Sequence, residues 1–581
     1  MTTPPAHWNP TSQRLWQAVR DGVPLDLTTV SSEGTTQPSC SALPEIPGEV
    51  IAALLLQPPP ASASAIPKLQ LAGAHITGSL QLQYATVEIP FSLLDCHFDA
   101  PVNLNDTSLR ATDFTGCHIP QLSADRLHID GDLTLTRLAS GGISLFGAHV
   151  RGNLWLTSSR ITRDDSGFAV NGPQLRIEGG LYADSAHMTG GVNLWGAEAF
   201  TVDVGQARLA GRQGPAFCGD GLRIVQDLRC TNLLIEDGGI RLFGATIGGQ
   251  FWLVNADVCN SRGWAISAPK LILDGGIYAH GLTAEGGINL FAATIGESIE
   301  LTASTLLPHR QHALRAPGAR VEANITLDDA THVAGDIVLT RLESKGALSF
   351  RNTTFSETTN VNLKGATLGT FRMESLASPP AALDLSHAKI GTISHSRDSW
   401  PSHMALTALT YQTLDPVLPA DHRLAWLRRG SAYHPQPYEQ LAAHYRQMGY
   451  DDDARKVLLA RHRLRRRGQR APARLWGYVE DATVGYGYRP GRALIWLLAL
   501  TAAAALVFAV TPPRPTQSNG PAFQPFIFAL DLILPILDLG QEKAFTPVGS
   551  TTWIAWFTSL SGWLLSTTVI TSVTRRLSRS A

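Results

Sequence analysis

A run of cations in the last third of the chain is the most prominent chemical feature of the sequence. Nine lysine and arginine residues and no acid lie between Arg455 and Arg474. Such a run can bind nucleic acid, an acidic protein or anionic lipid. The uncharged stretch Ala493–Val510 follows shortly afterwards. Because cations beside a membrane span favour the anionic cytoplasmic leaflet, we predict lipid contact and no nucleic-acid partner. The predicted lipid-contact residues are Arg461, Arg463, Arg465, Arg466, Arg467, Arg470 and Arg474.

A second segment with chemical potential is Phe523–Leu539, which is apolar but carries Asp531 and Asp538 and is interrupted by Pro535. Acids seven residues apart lie close to one face of a helix. One interpretation is an amphipathic helix at the membrane interface, with both acids in water. The alternative is a re-entrant segment that lines an oligomeric pore and attracts cations, because acids at membrane depth face protein or water.

Nothing in the sequence predicts catalysis or a bound cofactor. No glycine-rich loop stands at a strand–helix junction, and no CxxCH motif or clustered metal-ligand signature is present. Single cysteines outside such spacings usually fill small core positions, which suits a reducing compartment. We therefore expect no catalytic, cofactor-binding or metal-binding residues. The six cysteines are Cys40, Cys96, Cys117, Cys218, Cys230 and Cys259.

Two uncharged stretches are long enough to position these segments at a membrane. Ala493–Val510 and Trp553–Val573 are both near the length of about 20 residues that a helix needs to cross the hydrocarbon core. Arginines precede the first stretch and follow the second, at Arg575, Arg576 and Arg579. The positive-inside rule then predicts two spans with both chain ends in the cytoplasm.

Most of the chain before these stretches is a repeat. The motif GGISLFGA at Gly141 recurs as GGVNLWGA at Gly190, GGIRLFGA at Gly238 and GGINLFAA at Gly286. Pairs of apolar residues at alternate positions, separated by corners, are typical of short β-strands rather than helices. The pattern predicts a right-handed parallel β-helix with four short faces, two coils per repeat and roughly 22–24 residues per coil. It extends over about 14 coils.

The strand pattern is similar to a degenerate pentapeptide repeat. The whole chain resembles a bacterial family of β-helical, membrane-attached proteins sometimes labelled "membrane-associated oxidoreductase". The stretches that carry the resemblance are Glu49–Leu82, Tyr438–Arg467 and Ala473–Leu500. The resemblance implies a location in the bacterial cytoplasmic membrane, and its label implies an oxidoreductase for which the sequence offers no cofactor motif.

These observations divide the chain into a helical cap and loop (1–66), the parallel β-helix (67–395) and an irregular linker (396–437). A helix hairpin with a basic juxtamembrane and interfacial segment follows (438–492), and then a two-span anchor (493–581) with an apolar extracytoplasmic loop (511–552). The function predicted from this organisation is a membrane-anchored, cytoplasm-facing scaffold. Its expected partners are the lipid bilayer and either a protein or a second copy of the chain. The alternatives are an oligomeric pore and an oxidoreductase.

Overall fold

The structure is a computed structural model. It describes residues 3–28, 43–62, 66–164, 166–211, 214–396, 398–430, 433–467, 478, 481, 490–517, 521–534 and 537–577. The chain divides into two compact units, Met1–Val417 and Leu418–Ala581. The first unit contains the β-structure of the repeat, and the second is mainly helical.

The first unit is a parallel β-solenoid in which each coil contributes one short strand to each of four faces. One coil, for example, comprises Leu133–Thr134, Ala139–Ser140, Ile143–Ser144 and His149–Val150. Faces 1 and 4 belong to one 27-stranded sheet, face 2 is a sheet of 14 strands and face 3 a sheet of 15, so about fifteen coils are stacked. The predicted four-faced β-helix is confirmed. The first and last short strands are Leu25–Asp26 and Ile325–Thr326 on face 1, Glu45–Pro47 and Thr354–Phe355 on face 2, Leu80–Gln81 and His403–Ala405 on face 3, and Ser108–Leu109 and Arg320–Val321 on face 4.

Each coil buries one small core of its own and stacks it on the next. In the coil that begins at Leu133, the side chains of Leu133, Leu135, Ile143, Leu145 and Val150 are all fully buried. Their partners one coil away are in register, so that Leu133 pairs with Leu154 and Ile143 with Val170. Burial of each such side chain is worth about 1.5–3 kcal/mol, which makes the column of apolar residues the main source of stability.

Between Leu154 and Ile325, coils of two lengths alternate, and this alternation produces the repeat of 48 or 49 residues. The step from Leu154 to its partner Leu181 is 27 residues, whereas the next step, from Leu181 to Val202, is 21. The expected length of roughly 22–24 residues therefore describes the mean of the two coils and is wrong for each of them singly. The longer coils carry an extra loop between faces 2 and 3, as at Asn260–Trp264.

The glycine pairs of the repeat lie on short coils, and from Gly190 onward each pair lies between two such loops. A Cβ atom on Gly286 would lie 2.7 Å from the carbonyl oxygen of Gly263 in one loop. A Cβ atom on Gly287 would lie 2.5 Å from the carbonyl oxygen of His312 beyond the next loop. Both glycines also have positive φ, at 123° and 73°. The pair is needed for close packing of loops on both sides, which confirms that these runs are corners rather than nucleotide-binding loops.

Faces 4 and 1 merge at the C-terminal end of the solenoid. Their strands become continuous in Glu343–Arg351, Thr367–Glu374, Lys389–His395 and Thr410–Asp415. The last of these pairs with its predecessor in parallel register, with Tyr411 opposite Ile390. The solenoid thus continues past 395 into the stretch expected to be an irregular linker. The prolines around this coil interrupt the alternation of buried and exposed residues, so the sequence pattern did not predict it.

Two helices cover the N-terminal end of the solenoid, as expected for a cap. The first, α1 (Pro10–Asp21), begins after Asn9, whose side chain accepts a hydrogen bond from the Ser12 N–H at 2.7 Å. The second, α2 (Gly48–Leu56), buries Ile51, Leu54 and Leu55. Closure of this end protects the exposed core and strand edge of the first coil.

The second unit contains two groups of helices. The first group is α3 (Ala420–Leu427), α4 (Gln436–Gln447) and α5 (Asp451–Arg467), and α4 and α5 form the predicted hairpin with Gly449 at a φ of 80° between them. The second group is α6 (Pro490–Val510), α7 (Pro525–Ile533), α8 (Gln541–Ala544) and α9 (Ser550–Leu577), with a two-stranded ribbon formed by Arg514–Pro515 and Phe545–Thr546.

The packing of the glycine pairs predicts a strong effect of Gly287→Ala on the stability of the solenoid. The new methyl group would meet the His312 carbonyl in a backbone that already has positive φ. We expect a loss of about 2–4 kcal/mol, measured as a lower midpoint of thermal unfolding by circular dichroism.

Gly244→Ala is the matched control for this variant. Gly244 also has positive φ, at 62°, but nothing lies within 4 Å of its Cβ position. The same type of corner already contains Ala292 at a φ of 52°. We expect a loss of about 1 kcal/mol from the backbone alone. Equal losses in the two variants would contradict the close packing of the glycine pair.

Candidate interaction surfaces

Ion pairs between successive coils neutralise much of the surface where face 4 turns into face 1. Asp130 lies 3.9 Å from Arg110 and 3.4 Å from Arg151, which belong to the coils on either side of it. Glu198 is likewise shared by Arg176 at 3.2 Å and Arg223 at 3.9 Å. Exposed pairs of this kind are worth at most about 1 kcal/mol each. Their main effect is to leave this surface with little free charge.

A groove of about 950 Å³ lies farther along the same surface, over the merged strands at the C-terminal end. Its walls carry Arg320 and Glu343, whose charged atoms are 3.1 Å apart, and a Lys345–Glu322 ion pair. Gly369 and Gly391 also line it. Because the charged walls are paired with each other, the groove offers no charge for a ligand beyond that of Lys389.

The corner between faces 3 and 4 carries a different set of residues, which we name the aromatic corner: Phe146, Trp195, Phe243 and Phe291. Their side chains are 39–52 % exposed. They occupy equivalent positions on alternate coils, with Pro173, Asp220 and Pro269 on the coils between them. At about 4.8 Å per coil, neighbouring aromatic residues are separated by about 10 Å along the solenoid.

Four cations lie along the C-terminal half of this corner, and we name them the basic end: Lys270, Arg315, Arg341 and Lys364. The Lys270 Nζ is 5.8 Å from the ring centre of Phe243, and the Arg315 Cζ is 5.2 Å from that of Phe291. These distances fit cation–π contacts. Within the described residues, none of the four cations has an acid at ion-pair distance. The corner therefore combines exposed aromatic rings with free positive charge.

A groove of about 660 Å³ connects the aromatic corner to the basic end. Phe291, Pro317, Arg341, Lys364 and His387 contribute to its walls. The groove is open to solvent along one side of the solenoid corner, and among these five residues there is no acid. An anionic group would meet two cations and one aromatic ring there.

Most of the solenoid cysteines that the structure describes are buried, and a hydrogen bond with Cys117 lowers the pKa of the Cys96 thiol. Cys96, Cys117, Cys218 and Cys230 are free and buried, and Cys40 lies outside the described residues. Burial raises the pKa of Cys230, and burial together with Glu285 raises that of Cys259 to about 11. Among the residues that the structure describes, no three histidine, cysteine or acidic side chains are grouped so that they could hold a metal ion.

The predicted lipid-contact arginines divide into paired and unpaired residues. Arg461 pairs with Glu439. Arg463 donates two hydrogen bonds to the Asp481 carboxylate at 3.0 and 3.1 Å, and Arg466 lies 3.4 Å from the same group. Arg465 is exposed and forms no ion pair with a described residue. The side chains of Arg467, Arg470 and Arg474 lie outside the described part of the chain.

Asp481 holds two of these arginines and shows a matching change in acidity. Burial alone would raise the pKa of its carboxyl, but the hydrogen bond and charge of Arg463, together with Arg466, lower that pKa overall. The Cζ of Arg466 also lies 3.8 Å from the ring centre of Tyr478. Sequence reasoning missed these contacts because the partners are 15 and 18 residues away from Asp481 in the chain.

Asp531 and Asp538 lie in different environments. Helix α7 ends at Ile533, so the two acids do not share a helix face as the sequence spacing suggested. Asp531 is 4 % exposed and accepts hydrogen bonds from the backbone N–H groups of Leu539 and Glu542, both at 2.8 Å. Asp538 is exposed and pairs with Lys543. Asp531 thus links the end of α7 to Leu539 and to Glu542 in α8.

Helix α7 packs in a small apolar core between α6 and α9. Phe528 of α7 and Phe508 of α6 meet edge to face, with ring centres 5.0 Å apart. A Cβ atom on Gly562 of α9 would lie 2.5 Å from the carbonyl oxygen of Ile533, so α9 passes close to the end of α7. The buried members of this core are Ala504, Phe508, Phe528, Ala529, Leu532, Phe545 and Ala555.

The outer sides of α6 and α9 expose large apolar side chains. Within the described residues, Gly491–Val510 of α6 is the one helix long and apolar enough to cross a membrane by its length and composition, with a mean hydropathy of 2.5. Only 28 % of this stretch is buried in the structure. On α9, which has 28 residues but more serine and threonine, the side chains of Trp553, Phe557 and Leu560 are 65–72 % exposed.

Comparison with models of protein families, with curated proteins and with solved structures finds no match to the chain. The interpretation of these surfaces therefore depends on their residues and geometry.

The hydrogen bonds from Leu539 and Glu542 to Asp531 predict a large loss of stability for Asp531→Ala. The substitution leaves two backbone N–H groups without their acceptor, which costs about 1–3 kcal/mol for each group that stays buried. The midpoint of thermal unfolding of the detergent-solubilised protein, followed by size-exclusion chromatography, measures this loss. Asp538→Ala is the control, and we expect less than about 1 kcal/mol because its ion pair is exposed. Similar midpoints for the two variants would contradict the assigned role.

Proposed function

We propose that the protein is a β-solenoid scaffold anchored in a membrane by its C-terminal helices. The observation that carries the proposal is the low burial of the apolar stretch Gly491–Val510, 28 % of which is buried. Leu494, Leu498 and Leu506 on this helix are 55–69 % exposed. Exposed to water, these apolar side chains would promote aggregation. In a bilayer they contact hydrocarbon instead of water.

A second span by α9 belongs to this proposal. Its 28 residues correspond to about 42 Å of helix, which is enough to cross a bilayer. Trp553, Trp556 and Trp563 are more than half exposed, as suits side chains that face lipid or the membrane interface. Arg492 at the start of α6 and Arg575 near the end of α9 support an orientation with both chain ends in the cytoplasm.

In this arrangement the solenoid faces the cytoplasm. Its outward faces would hold a protein partner or a second copy of the chain beside the inner leaflet. Arg465, which is exposed and lies at the end of α5, would add a contact to anionic lipid. The same organisation underlies the resemblance to the bacterial family of β-helical membrane proteins, and we propose membership of that family on this basis.

The anchor predicts that Leu498→Arg removes the chain from the membrane. An arginine near the centre of a span costs about 2.5–3.5 kcal/mol of insertion free energy. The measurement is the fraction of full-length protein that stays in bacterial membranes after extraction with alkaline carbonate. Val225→Arg, at a solenoid position that is 63 % exposed, should leave that fraction unchanged. Wild-type protein that is fully released by carbonate would refute the anchor.

The two-span topology predicts the sides from which single cysteines react. In a background of Cys40→Ser and Cys259→Ser, a membrane-impermeant maleimide should label Glu542→Cys in intact cells. Asp452→Cys, whose native side chain is 88 % exposed, and Ser578→Cys should react only after permeabilisation. If Ser578→Cys reacts in intact cells while Asp452→Cys does not, a single span replaces the proposed two.

A further inference from the structure

We propose that the aromatic corner and the basic end together form a lipid-binding edge of the solenoid, with an anionic bilayer surface as the partner. This inference adds a second membrane contact to the proposed anchor, and it rests on the chain being held at a membrane. It concerns residues of the solenoid unit alone. The alignment of the exposed rings, the unpaired cations and the covering of two of the rings support it.

The exposed rings are aligned along one corner of the solenoid. Phe146, Trp195, Phe243 and Phe291 occupy the same position in successive repeats, because backbone hydrogen bonds hold the coils in register. Trp195 is 52 % exposed, and the other three rings are 39–49 % exposed. Because the four rings lie in one line, all of them can contact a planar surface at the same time. Aromatic side chains have a preference for the headgroup level of a bilayer.

The free positive charge lies on the same corner. On the adjoining surface, several arginines form ion pairs with acids of a neighbouring coil. Arg151, for example, lies 3.4 Å from Asp130. Lys270, Arg341 and Lys364 form no ion pair with any described residue, and Arg315 is hydrogen bonded to the neutral Asn289 at 3.2 Å. A group of cations beside aromatic residues is the composition expected of a surface for anionic lipid.

Cations cover two of the four rings, which favours lipid over the other ligands that aromatic and basic residues bind. Sugars and nucleic-acid bases stack on the open face of a ring. The Lys270 ammonium and the Arg315 guanidinium lie over the rings of Phe243 and Phe291, at 5.8 and 5.2 Å. Ring edges remain for shallow insertion between headgroups. The groove beside Phe291, with Arg341 and Lys364 in its walls, has room for a phosphate group at about 660 Å³.

Spin labels on the full-length protein in lipid nanodiscs test this proposal. Phe146→Cys and Phe243→Cys place labels on the corner, in a background of Cys40→Ser and Cys259→Ser. Val225→Cys is the matched control, since Val225 is 63 % exposed on another edge of the solenoid. The measured quantity is the ratio of accessibility to oxygen, which concentrates in lipid, over accessibility to a water-soluble nickel complex.

In nanodiscs that contain phosphatidylglycerol, we expect the ratio at both corner labels to exceed that at Val225→Cys several-fold. In nanodiscs of phosphatidylcholine alone, or with the double variant Arg341→Gln, Lys364→Gln, the difference should largely disappear. Corner labels that resemble the control in both lipids would overturn the proposal. So would labels shielded from both reagents irrespective of lipid, because that result indicates a protein partner or a second copy. Either outcome leaves the anchor intact, since the anchor is measured separately by carbonate extraction.

Discussion

Hydrogen bonding between successive coils in register is the constraint on which the rest of the first unit depends. Leu135 donates its N–H to the carbonyl oxygen of Trp155 at 2.7 Å, and Leu156 donates to that of Tyr182 at 2.6 Å. Each residue is therefore stacked on its counterpart about 4.8 Å away. The rings of Trp155 and Tyr182 are stacked with centres 4.4 Å apart. A loop or a large exposed side chain that would collide with the same feature one coil away can therefore occur only on alternate coils.

The alternation of coils follows from this constraint and also determines the surface. A loop between faces 2 and 3 on every coil would collide with the loop above it, so the loops alternate with glycine pairs that leave room on both sides. The exposed aromatic residue lies on the same short coil, five residues after the first glycine, as Phe146 follows Gly141. Rings on adjacent coils would cover each other. Rings on alternate coils remain exposed, which is the reason that the aromatic corner can serve as an interaction surface.

The sequence predicted the parts of the fold in which this register is regular. Apolar positions such as Leu133, Leu181 and Leu228 repeat because each stacks on the same face. The periodicity of the sequence therefore reflects the contacts between coils directly. The last coil escaped prediction because prolines flank its strands. The partners of Arg463 and Asp531 escaped for a different reason. Their contacts join segments with no repeat between them, and nothing in local spacing encodes such a pairing.

The contacts that sequence patterns do not predict determine which cations of the chain remain unpaired. Composition places the cations in the run between Arg455 and Arg474, but the fold uses Arg461, Arg463 and Arg466 to hold Glu439 and Asp481. Bound in this way, their charges contribute little to a distant surface. In the solenoid, the cations of the basic end have no acidic partner among the described residues, because none of the residues stacked above and below them is acidic. Within the described residues, the stacking of the coils thus leaves unpaired cations at a position that composition alone does not indicate.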